Sequence, residues 1–474
     1  MKKLRSFCLL LVCFLLLQIL YIPTFADEQP QISVTEGCAT LDAQVPLMDK
    51  QVLETAKGVI LYERNTDTLI HSWNPDEKVD PSGMNKIMTA LLALEHGDTA
   101  AVVTASKEAL NSVERGAVSA GLKAGEQMPL LDLLYCMMVG SANDAAAVIA
   151  EHIGGSQAAF VTMMNEKATE LGCTNTLFMN ANGLSHESQY TTARDLAKIT
   201  AAALELDVFV ELFSAPGYTV AATNVSPERQ LLTTNRLMTQ TGNGSHYDER
   251  VTGGKTGALS TTDRSLISTA KNEESSLLCV VMSAKGTVTA NGLSVKTYGS
   301  FEETRELLDY AFTTYSMRQL LSENRVMGQF AVANGENDVI GRPGEAVVSM
   351  MPVNFEQESV TYRCTLPEGV LSAPIKEGQT IGTVEMWFEE ICVGKCDLVA
   401  MHNVGELGKH NVSISQRAEE AGKDAWITWL LIGCLIVLAL VLLLGLYLLA
   451  TWIIRKTKLD RWYLIRRKHK KRRR

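Results

Sequence analysis

Residues 80–86 read Asp80-Pro-Ser-Gly-Met-Asn-Lys86 and open a run of apolar residues with helical spacing. Two further short motifs follow along the chain, Ser141-Ala-Asn143 and Lys255-Thr-Gly257. The lysine of the first stretch lies 55 positions before the serine of the second, and that serine lies 114 positions before the third motif. Each tripeptide is common by itself, but all three in this order form a pattern specific enough to predict a fold.

The segments around these motifs predict a sheet flanked by helices. Residues 56–73 predict two strands joined by a turn, because β-branched and aromatic residues surround an Asn-Thr-Asp tripeptide. Residues 87–94 predict a buried helix that ends at His96-Gly97. Residues 277–282 are apolar without interruption, which is typical of a central strand, and residues 302–315 predict a further helix. The fold class predicted for residues 45–316 is therefore α/β (α+β).

Residues 320–405 have a different pattern. Helical periodicity is lost and short runs of alternating residues replace it, as at residues 384–388, where Val, Met and Phe alternate with Glu and Trp. Such alternation is typical of strands. We therefore predict a small all-β sandwich domain after the α/β domain.

The N-terminal segment predicts export. Residues 1–26 begin with basic residues, continue with an apolar run from Phe7 to Ile22 and end with small residues at Thr24 and Ala26. This combination is typical of a secretory signal peptide that is cleaved from the mature protein. We therefore expect the main body to be extracytoplasmic.

The C-terminal segment predicts a membrane anchor. Residues 426–454 contain no charged residue, and a helix of that length, at about 1.5 Å per residue, exceeds the roughly 30 Å hydrocarbon core of a bilayer. Residues 406–425 form a polar linker before it. Residues 455–474 contain twelve basic residues, which the positive-inside rule assigns to the cytoplasm. The sequence thus predicts a single-pass protein of the cell membrane.

The charge distribution argues against nucleic acid as a partner. The chain has 53 acidic and 44 basic residues and a formal net charge of −9. Residues 27–454 carry 29 basic and 52 acidic residues, and the excess of basic residues is confined to the two ends of the chain. A nucleic-acid footprint needs basic residues spread over a folded face.

Cysteine and histidine usage predicts neither a disulfide framework nor a metal site. Seven of the ten cysteines lie outside the apolar terminal segments, and an odd number does not favour systematic pairing. Cys392 and Cys396 are compatible with a bridge across a hairpin or with two buried thiols in a strand pair, and the sequence leaves both open. The eight histidines are scattered, so no metal and no cofactor is expected.

The three motifs resemble those of the penicillin-binding and serine β-lactamase scaffold. Their surroundings, residues 86–95, 178–184, 190–196 and 234–237, resemble the low-molecular-mass serine D-alanyl-D-alanine carboxypeptidases, as does the β domain. The resemblance implies action on peptidoglycan stem peptides through an acyl-enzyme, binding of β-lactams and a C-terminal membrane anchor. A β-lactamase ranks lower because the β domain and the anchor argue against it.

The family pattern implies catalytic roles for residues of the first two motifs. Lys86 matches the general base, which must lie beside a hydroxyl nucleophile to activate it. Ser141 and Asn143 match the proton-relay and substrate-amide positions. The backbone N–H groups of Gly83 and Ala258 match the two donors of an oxyanion hole.

The same pattern implies how the substrate is bound. Lys255, Thr256 and Gly257 match the edge of a strand that receives the substrate carboxylate. Relatives often have an arginine shortly before the last helix, and Ser300 occupies that position here. Arg264 is the further candidate for contact with the carboxylate.

The nucleophile position departs from the family pattern. Three positions before Lys86, where the family has serine, this chain has Gly83, and a serine lies one residue earlier at Ser82. One hypothesis is a peptidoglycan-binding relative that cannot acylate, and the other is a carboxypeptidase in which Ser82 substitutes after a rearrangement. The sequence favours the first, because Asp80 and Pro81 are expected to fix Ser82 in the first helical turn, roughly 100° from the required direction.

Overall fold

The computed structural model describes residue 41 and residues 55–240, 246–290, 295–367, 369–407, 441–446, 448–449 and 451–452. The predicted signal peptide and basic tail lie outside these residues, as do nearly all of the predicted linker and most of the predicted membrane helix. Within the described part of the chain, no helix has the length and apolar character of a membrane span.

The first part of the chain forms short and long strands in alternation with helices. The strands are β1 (Gly58–Glu63), β2 (Thr68–Trp73), β3 (Val102–Thr104), β4 (Gln127–Pro129), β5 (Gly217–Val220), β6 (Arg229–Leu232), β7 (Val251–Ala258), β8 (Asp263–Lys271), β9 (Ser276–Lys285), β10 (Thr287–Val288) and β11 (Val295–Thr297). The helices are α1 (Asn85–His96), α2 (Lys107–Asn111), α3 (Leu130–Met138), α4 (Asn143–Gly154), α5 (Gln157–Glu170), α6 (Ala193–Ala203), α7 (Asp207–Ser214) and α8 (Gly299–Thr314).

An antiparallel five-stranded sheet with the order β2-β1-β9-β8-β7 lies at the centre of this part. Side chains of each strand alternate between the two faces of the sheet, and each face packs against its own hydrophobic core cluster. Val59 and Leu61 of β1 pack in one core cluster with residues of α8. Ile60 and Tyr62 pack in the other cluster, with α1 and α6. The sheet thus places the edge strand β7, which carries the Lys255 motif, within reach of α1 and α4.

Two expectations for this part are confirmed and one is wrong in its bounds. Residues 277–282 lie in β9, the middle strand of the sheet, and residues 87–94 lie in α1. The last helix runs from Gly299 to Thr314 and not over residues 302–315. Tyr315 instead begins the next strand, where it pairs with Pro352.

A β-rich region follows, as expected from the change in pattern. Its strands are β12 (Tyr315–Leu321), β13 (Gly328–Phe330), β14 (Val339–Pro343), β15 (Val347–Pro352), β16 (Val360–Thr365), β17 (Thr380–Phe388) and β18 (Ile391–Ala400). They form a β12-β15 pair and a five-stranded sheet of order β13-β14-β18-β17-β16.

The bridge considered between Cys392 and Cys396 is not formed. Both residues lie in the same strand, β18, about four residues apart at roughly 3.3 Å each, which is too far for a disulfide. Cys392 is disulfide-bonded, and Cys396 is a buried free thiol.

Internal contacts divide the chain into two compact units. The larger unit contains the residues up to Ala331 together with Asp338–Leu371 and Ile375–Asn403, and therefore every strand and helix named above. The smaller unit contains Val332–Asn337, Ser372–Pro374 and the residues from Val404. Its described residues are linked by isolated bridges, one of which joins Gly335 to Glu406.

Candidate functional site

A cleft of about 410 Å³ lies where the three motifs meet. The turn before α1, the loop before α4 and the edge strand β7 each contribute one wall. Of the residues predicted for the site, those that line the cleft are Ser82, Gly83, Lys86, Ser141, Asn143, Thr256, Gly257, Ala258 and Arg264. The remaining predicted residue, Lys255, is buried beside the cleft and contacts Ser141.

The turn before α1 has an unusual backbone at Ser82. Its N–H donates to Asp80 Oδ1 at 2.8 Å, but Asp80 is not the N-cap of the helix, because α1 begins only at Asn85, after a short turn over Ser82–Met84. The expected helical conformation of Ser82 is also wrong, because its φ is +51°, in the left-handed region. The Ser82 carbonyl also requires glycine at Gly183, where an added Cβ would lie 1.7 Å from the oxygen.

Residue 83, not residue 82, is directed toward the second motif. A Cβ added to Gly83 would lie 3.8 Å from Ser141 Oγ and 3.1 Å from the carbonyl oxygen of Thr256. The Ser82 side chain lies against Gly257 instead, because a Cβ added to that glycine would be 3.0 Å from Ser82 Oγ. A side chain at residue 83 would therefore enter the cleft toward Ser141.

Lys86, in the first turn of α1, is almost completely buried, with 2% of its surface exposed. Its Nζ donates to Asn143 Oδ1 at 2.8 Å and to the carbonyl oxygen of Asn182. Burial lowers the pKa of this amine well below its usual range, and the charge of Lys255 lowers the pKa further. The negative charge of Asp144 acts in the opposite direction and raises the pKa. A lysine in this state can accept a proton, as a general base must.

The start of α4 holds the second wall of the cleft in place. Asn143 Nδ2 donates to the carbonyl oxygen of Val118 at 3.0 Å. The carboxylate of Asp144 accepts hydrogen bonds from Ser119 Oγ at 2.6 Å, from the Ala120 N–H at 2.9 Å and from the Leu122 N–H at 3.0 Å. These bonds fix the loop over residues 118–122 to the helix that carries Asn143.

Lys255, in the middle of β7, is the second buried amine of the site. Its Nζ donates to Ser141 Oγ at 2.9 Å and to the carbonyl oxygen of Thr256 at 3.0 Å. Burial lowers its pKa to about 7. Ser141 has a left-handed backbone, with φ of +57°, which directs its hydroxyl toward this lysine.

The rim of the cleft near β7 carries hydroxyl and guanidinium groups. Thr256 Oγ1 and Thr234 Oγ1 lie 2.5 Å apart. Arg264 pairs with Ala258 across the β7-β8 ladder, and its Nε donates to the carbonyl oxygen of Thr261 at 3.1 Å. Ser300, at the position where relatives often have arginine, is only 1% exposed and does not line the cleft.

Several residues that line the cleft have no role predicted from the sequence. Four of them belong to stretches that resemble the family, so a signal was present there: Asn182, Gly183, Leu184 and Thr234. The loop over residues 116–118 also lines the cleft. No sequence motif marks this loop as part of the site, because its position depends on hydrogen bonds made by the neighbouring residues.

Together, the sheet, its flanking helices and the cleft define the class of the protein: a penicillin-binding/serine β-lactamase-like α/β domain followed by a β-rich domain. Residues 47–286 match the family model described as D-alanyl-D-alanine carboxypeptidase. Residues 315–406 match the model described as penicillin-binding protein 5, C-terminal domain. The chain therefore belongs to the D-alanyl-D-alanine carboxypeptidase family.

Individual relatives agree with this assignment. The D-alanyl-D-alanine carboxypeptidase DacF of Bacillus subtilis is 28% identical over 362 residues, which are 76% of this chain and 88% of the relative. DacC of Escherichia coli is 28% identical over 401 residues, 82% of this chain and 90% of the relative. The crystal structure of penicillin binding protein 5 from Haemophilus influenzae matches with a TM-score of 0.60 and 26% identity, covering 76% of this chain and 99% of that one.

Proposed function

We propose that this protein binds peptidoglycan stem peptides ending in D-Ala-D-Ala without forming an acyl-enzyme. The family name and the names of the relatives describe carboxypeptidases, and their substrate class is the starting point. The observation that carries the proposal is the direction of residue 83. The position from which a side chain would approach Ser141 Oγ is held by Gly83, which has no oxygen to attack a carbonyl.

The contacts of Lys86 argue against Ser82 as a substitute nucleophile. A base activates a hydroxyl through a direct hydrogen bond. The amine of Lys86 donates to Asn143 and to Asn182, and among the described residues the Ser82 hydroxyl makes no hydrogen bond. Ser82 does line the cleft, which keeps a rearranged carboxypeptidase as the second candidate function.

The groups on the β7 side of the cleft that would recognise a substrate, by contrast, are present, although Ser300 occupies the position where relatives often have arginine. Ser141 and Asn143 line the cleft and are held by hydrogen bonds to Lys255 and Lys86. Thr256 presents a hydroxyl at the edge of β7. A peptide can therefore be bound along this strand by polar groups that do not depend on a nucleophile.

The proposal is tested with the full-length protein and two probes. A fluorescent penicillin that survives denaturing electrophoresis reports acylation, and penicillin binding protein 5 from Haemophilus influenzae provides the positive control. We expect no covalent band from this protein, while calorimetric titration shows reversible binding of a diacetylated L-Lys-D-Ala-D-Ala peptide. A covalent band that Ser82→Ala abolishes would establish the carboxypeptidase instead. Failure to bind the peptide would reject the proposed function.

We also propose that the protein acts at the outer face of the cell membrane, anchored by a helix over residues 426–454. The support is the order of segments in the sequence, with a signal-peptide pattern first and an uncharged apolar stretch before a basic tail. On this proposal the β-rich domain is a small sandwich between the cleft-bearing domain and the linker. Protease added to intact cells is expected to digest the main body and to leave a membrane-bound C-terminal fragment.

A further inference from the structure

Two arginines from different parts of the chain share one aromatic ring beside the cleft. The guanidinium carbon of Arg236 lies 4.6 Å from the centre of the Tyr298 ring, and that of Arg264 lies 4.9 Å from it. Arg236 follows β6, Arg264 belongs to β8 and Tyr298 immediately precedes α8. Contacts of this kind attract a cation to the face of the ring and restrict where it can lie.

Neither guanidinium has a carboxylate partner among the residues that the structure describes. Arg264 donates from Nε to the carbonyl oxygen of Thr261, and its terminal nitrogens have no protein partner in the described chain. Arg236 is exposed and has no ion pair there either. A guanidinium has five N–H donors that fit a carboxylate. The pair is therefore an uncompensated positive site that is ready to receive an anion.

The position of Arg264 directs this charge to the bound peptide. Arg264 lines the cleft and lies opposite Ala258 in the ladder, two residues beyond Thr256 on β7. The buried amine of Lys255 is already hydrogen-bonded to Ser141 and, with a pKa of about 7, is only partly charged at neutral pH. The guanidinium of Arg264 is fully charged at that pH.

We propose that Arg264 is the residue that recognises the terminal carboxylate of the bound peptide, and that Tyr298 and Arg236 are positioning residues that hold it at the rim of the cleft. This inference rests on the proposed function, because it names the group that selects the ligand of that site. It also explains how the site can lack an arginine at residue 300. Ser300 occupies the position where relatives often have arginine, and it is too deeply buried to reach a ligand. In this protein the positively charged side chain at the rim of the cleft belongs to β8 and not to α8.

The test compares two ligands that differ only in the proposed contact: the diacetylated L-Lys-D-Ala-D-Ala peptide with a free terminal carboxylate, and the same peptide as its C-terminal amide. Calorimetric titration of the full-length protein is expected to show tighter binding of the acid by about tenfold, as for one charge-assisted pair. Arg264→Gln is expected to reduce this preference to within about twofold, while the affinity for the amide changes little. Arg264→Lys is expected to restore part of the preference.

The positioning residues are tested by the same ratio. Tyr298→Leu removes the ring and is expected to lower the acid preference about threefold, and Arg236→Gln is expected to lower it less. The matched control is Arg318→Gln, in β12, whose side chain donates to the carbonyl oxygen of Val353, and we expect no effect. Equal losses for acid and amide in Arg264→Gln, or an unchanged ratio, would overturn the inference and leave the proposed function intact. Binding of neither ligand by the wild type would overturn both.

Discussion

The two sides of the cleft differ in which functional groups of the family pattern they contain. On the side of β7, Lys255, Thr256 and Ser141 form a connected set of hydrogen bonds. On the side of α1, Lys86 is buried with a lowered pKa, and we propose that Gly83 holds the position of the group that this amine would activate. On our proposal, the β7 side binds a ligand, whereas the α1 side lacks the nucleophile that its buried lysine would activate.

On our proposal, recognition and covalent chemistry depend on different groups of residues in the fold. The recognition side depends on a strand edge and on the loop fixed by Asp144. The chemical side depends on one hydroxymethyl group at the start of a helix. Loss of that group leaves the hydrogen bonds of the other side in place, so the two functions can be tested independently.

The largest expected effect comes from restoring the hydroxyl with Gly83→Ser. Loss of a serine nucleophile from comparable triads costs on the order of 10⁶ in kcat, so partial restoration should raise the rate of penicillin acylation by at least about 10³. The added Cβ is 3.1 Å from the Thr256 carbonyl oxygen, a tight contact that needs a shift of a few tenths of an ångström. Labelling with fluorescent penicillin over time measures the gain. Gly83→Ala is the control. If the Gly83→Ser variant is not labelled, the α1 side of the cleft lacks more than the nucleophile oxygen.

Matched substitutions of the two buried lysines should separate the two sides. Lys255→Met removes the amine that holds Ser141, together with its partial positive charge, and we expect peptide affinity to fall about thirtyfold, or roughly 2 kcal/mol. Lys86→Met is expected to change affinity by less than about fivefold, because it removes only one of the hydrogen bonds that hold Asn143, whose Nδ2 still donates to the carbonyl oxygen of Val118. Calorimetric titration measures both. Equal losses would show that the two sides are a single binding unit.

The lowered pKa of Lys255 predicts a pH dependence of stability. Its pKa is about 7 in the folded protein and 10.5 when unperturbed, so between these values the unfolded chain binds a proton that the folded chain does not. Stability contributed by this group therefore increases as pH rises from 7, by at most about 1.4 kcal/mol per pH unit. Chemical denaturation at pH 7, 8 and 9 should show a shallower increase for Lys255→Met than for the wild type. The exposed Lys107→Met is the control, and parallel curves for all three proteins would contradict the expectation.

The smallest effect is expected from Ser82→Ala. Among the described residues the Ser82 hydroxyl makes no hydrogen bond, so its removal should change peptide affinity by less than about twofold and the free energy of unfolding by less than about 1 kcal/mol. Titration and chemical denaturation measure these quantities. If the protein hydrolyses the peptide and Ser82→Ala abolishes that activity, the chemical side would be functional after all.

Much of the site could be predicted because its residues belong to short motifs with fixed roles. Lys86, Ser141 and Asn143 were identified from spacing and resemblance, and the structure brings them together in one cleft. The central strand β9 was predictable for a physical reason: a strand buried on both faces is apolar at every position. The exchange of serine for glycine at residue 83 was visible in the sequence alone.

The parts that could not be predicted depend on backbone conformation and on long-range contacts. The left-handed φ of Ser82 is accompanied by its bond to Asp80 and by the close approach of Gly183, about one hundred positions away. The arginine pair on Tyr298 joins three elements that are distant in sequence. No local pattern encodes such contacts, because they exist only once the sheet has formed.

The order of the two central residues in the turn before α1 affects both the backbone conformation of the turn and the groups that it presents to the cleft. Glycine tolerates a left-handed backbone better than serine does, yet serine occupies that conformation at residue 82 and glycine follows at residue 83. Exchanging the two, as Ser82→Gly combined with Gly83→Ser, would relieve the backbone and supply the hydroxyl in the same step. On our proposal, a single transposition of neighbouring residues therefore separates this protein from one that a β-lactam antibiotic can acylate.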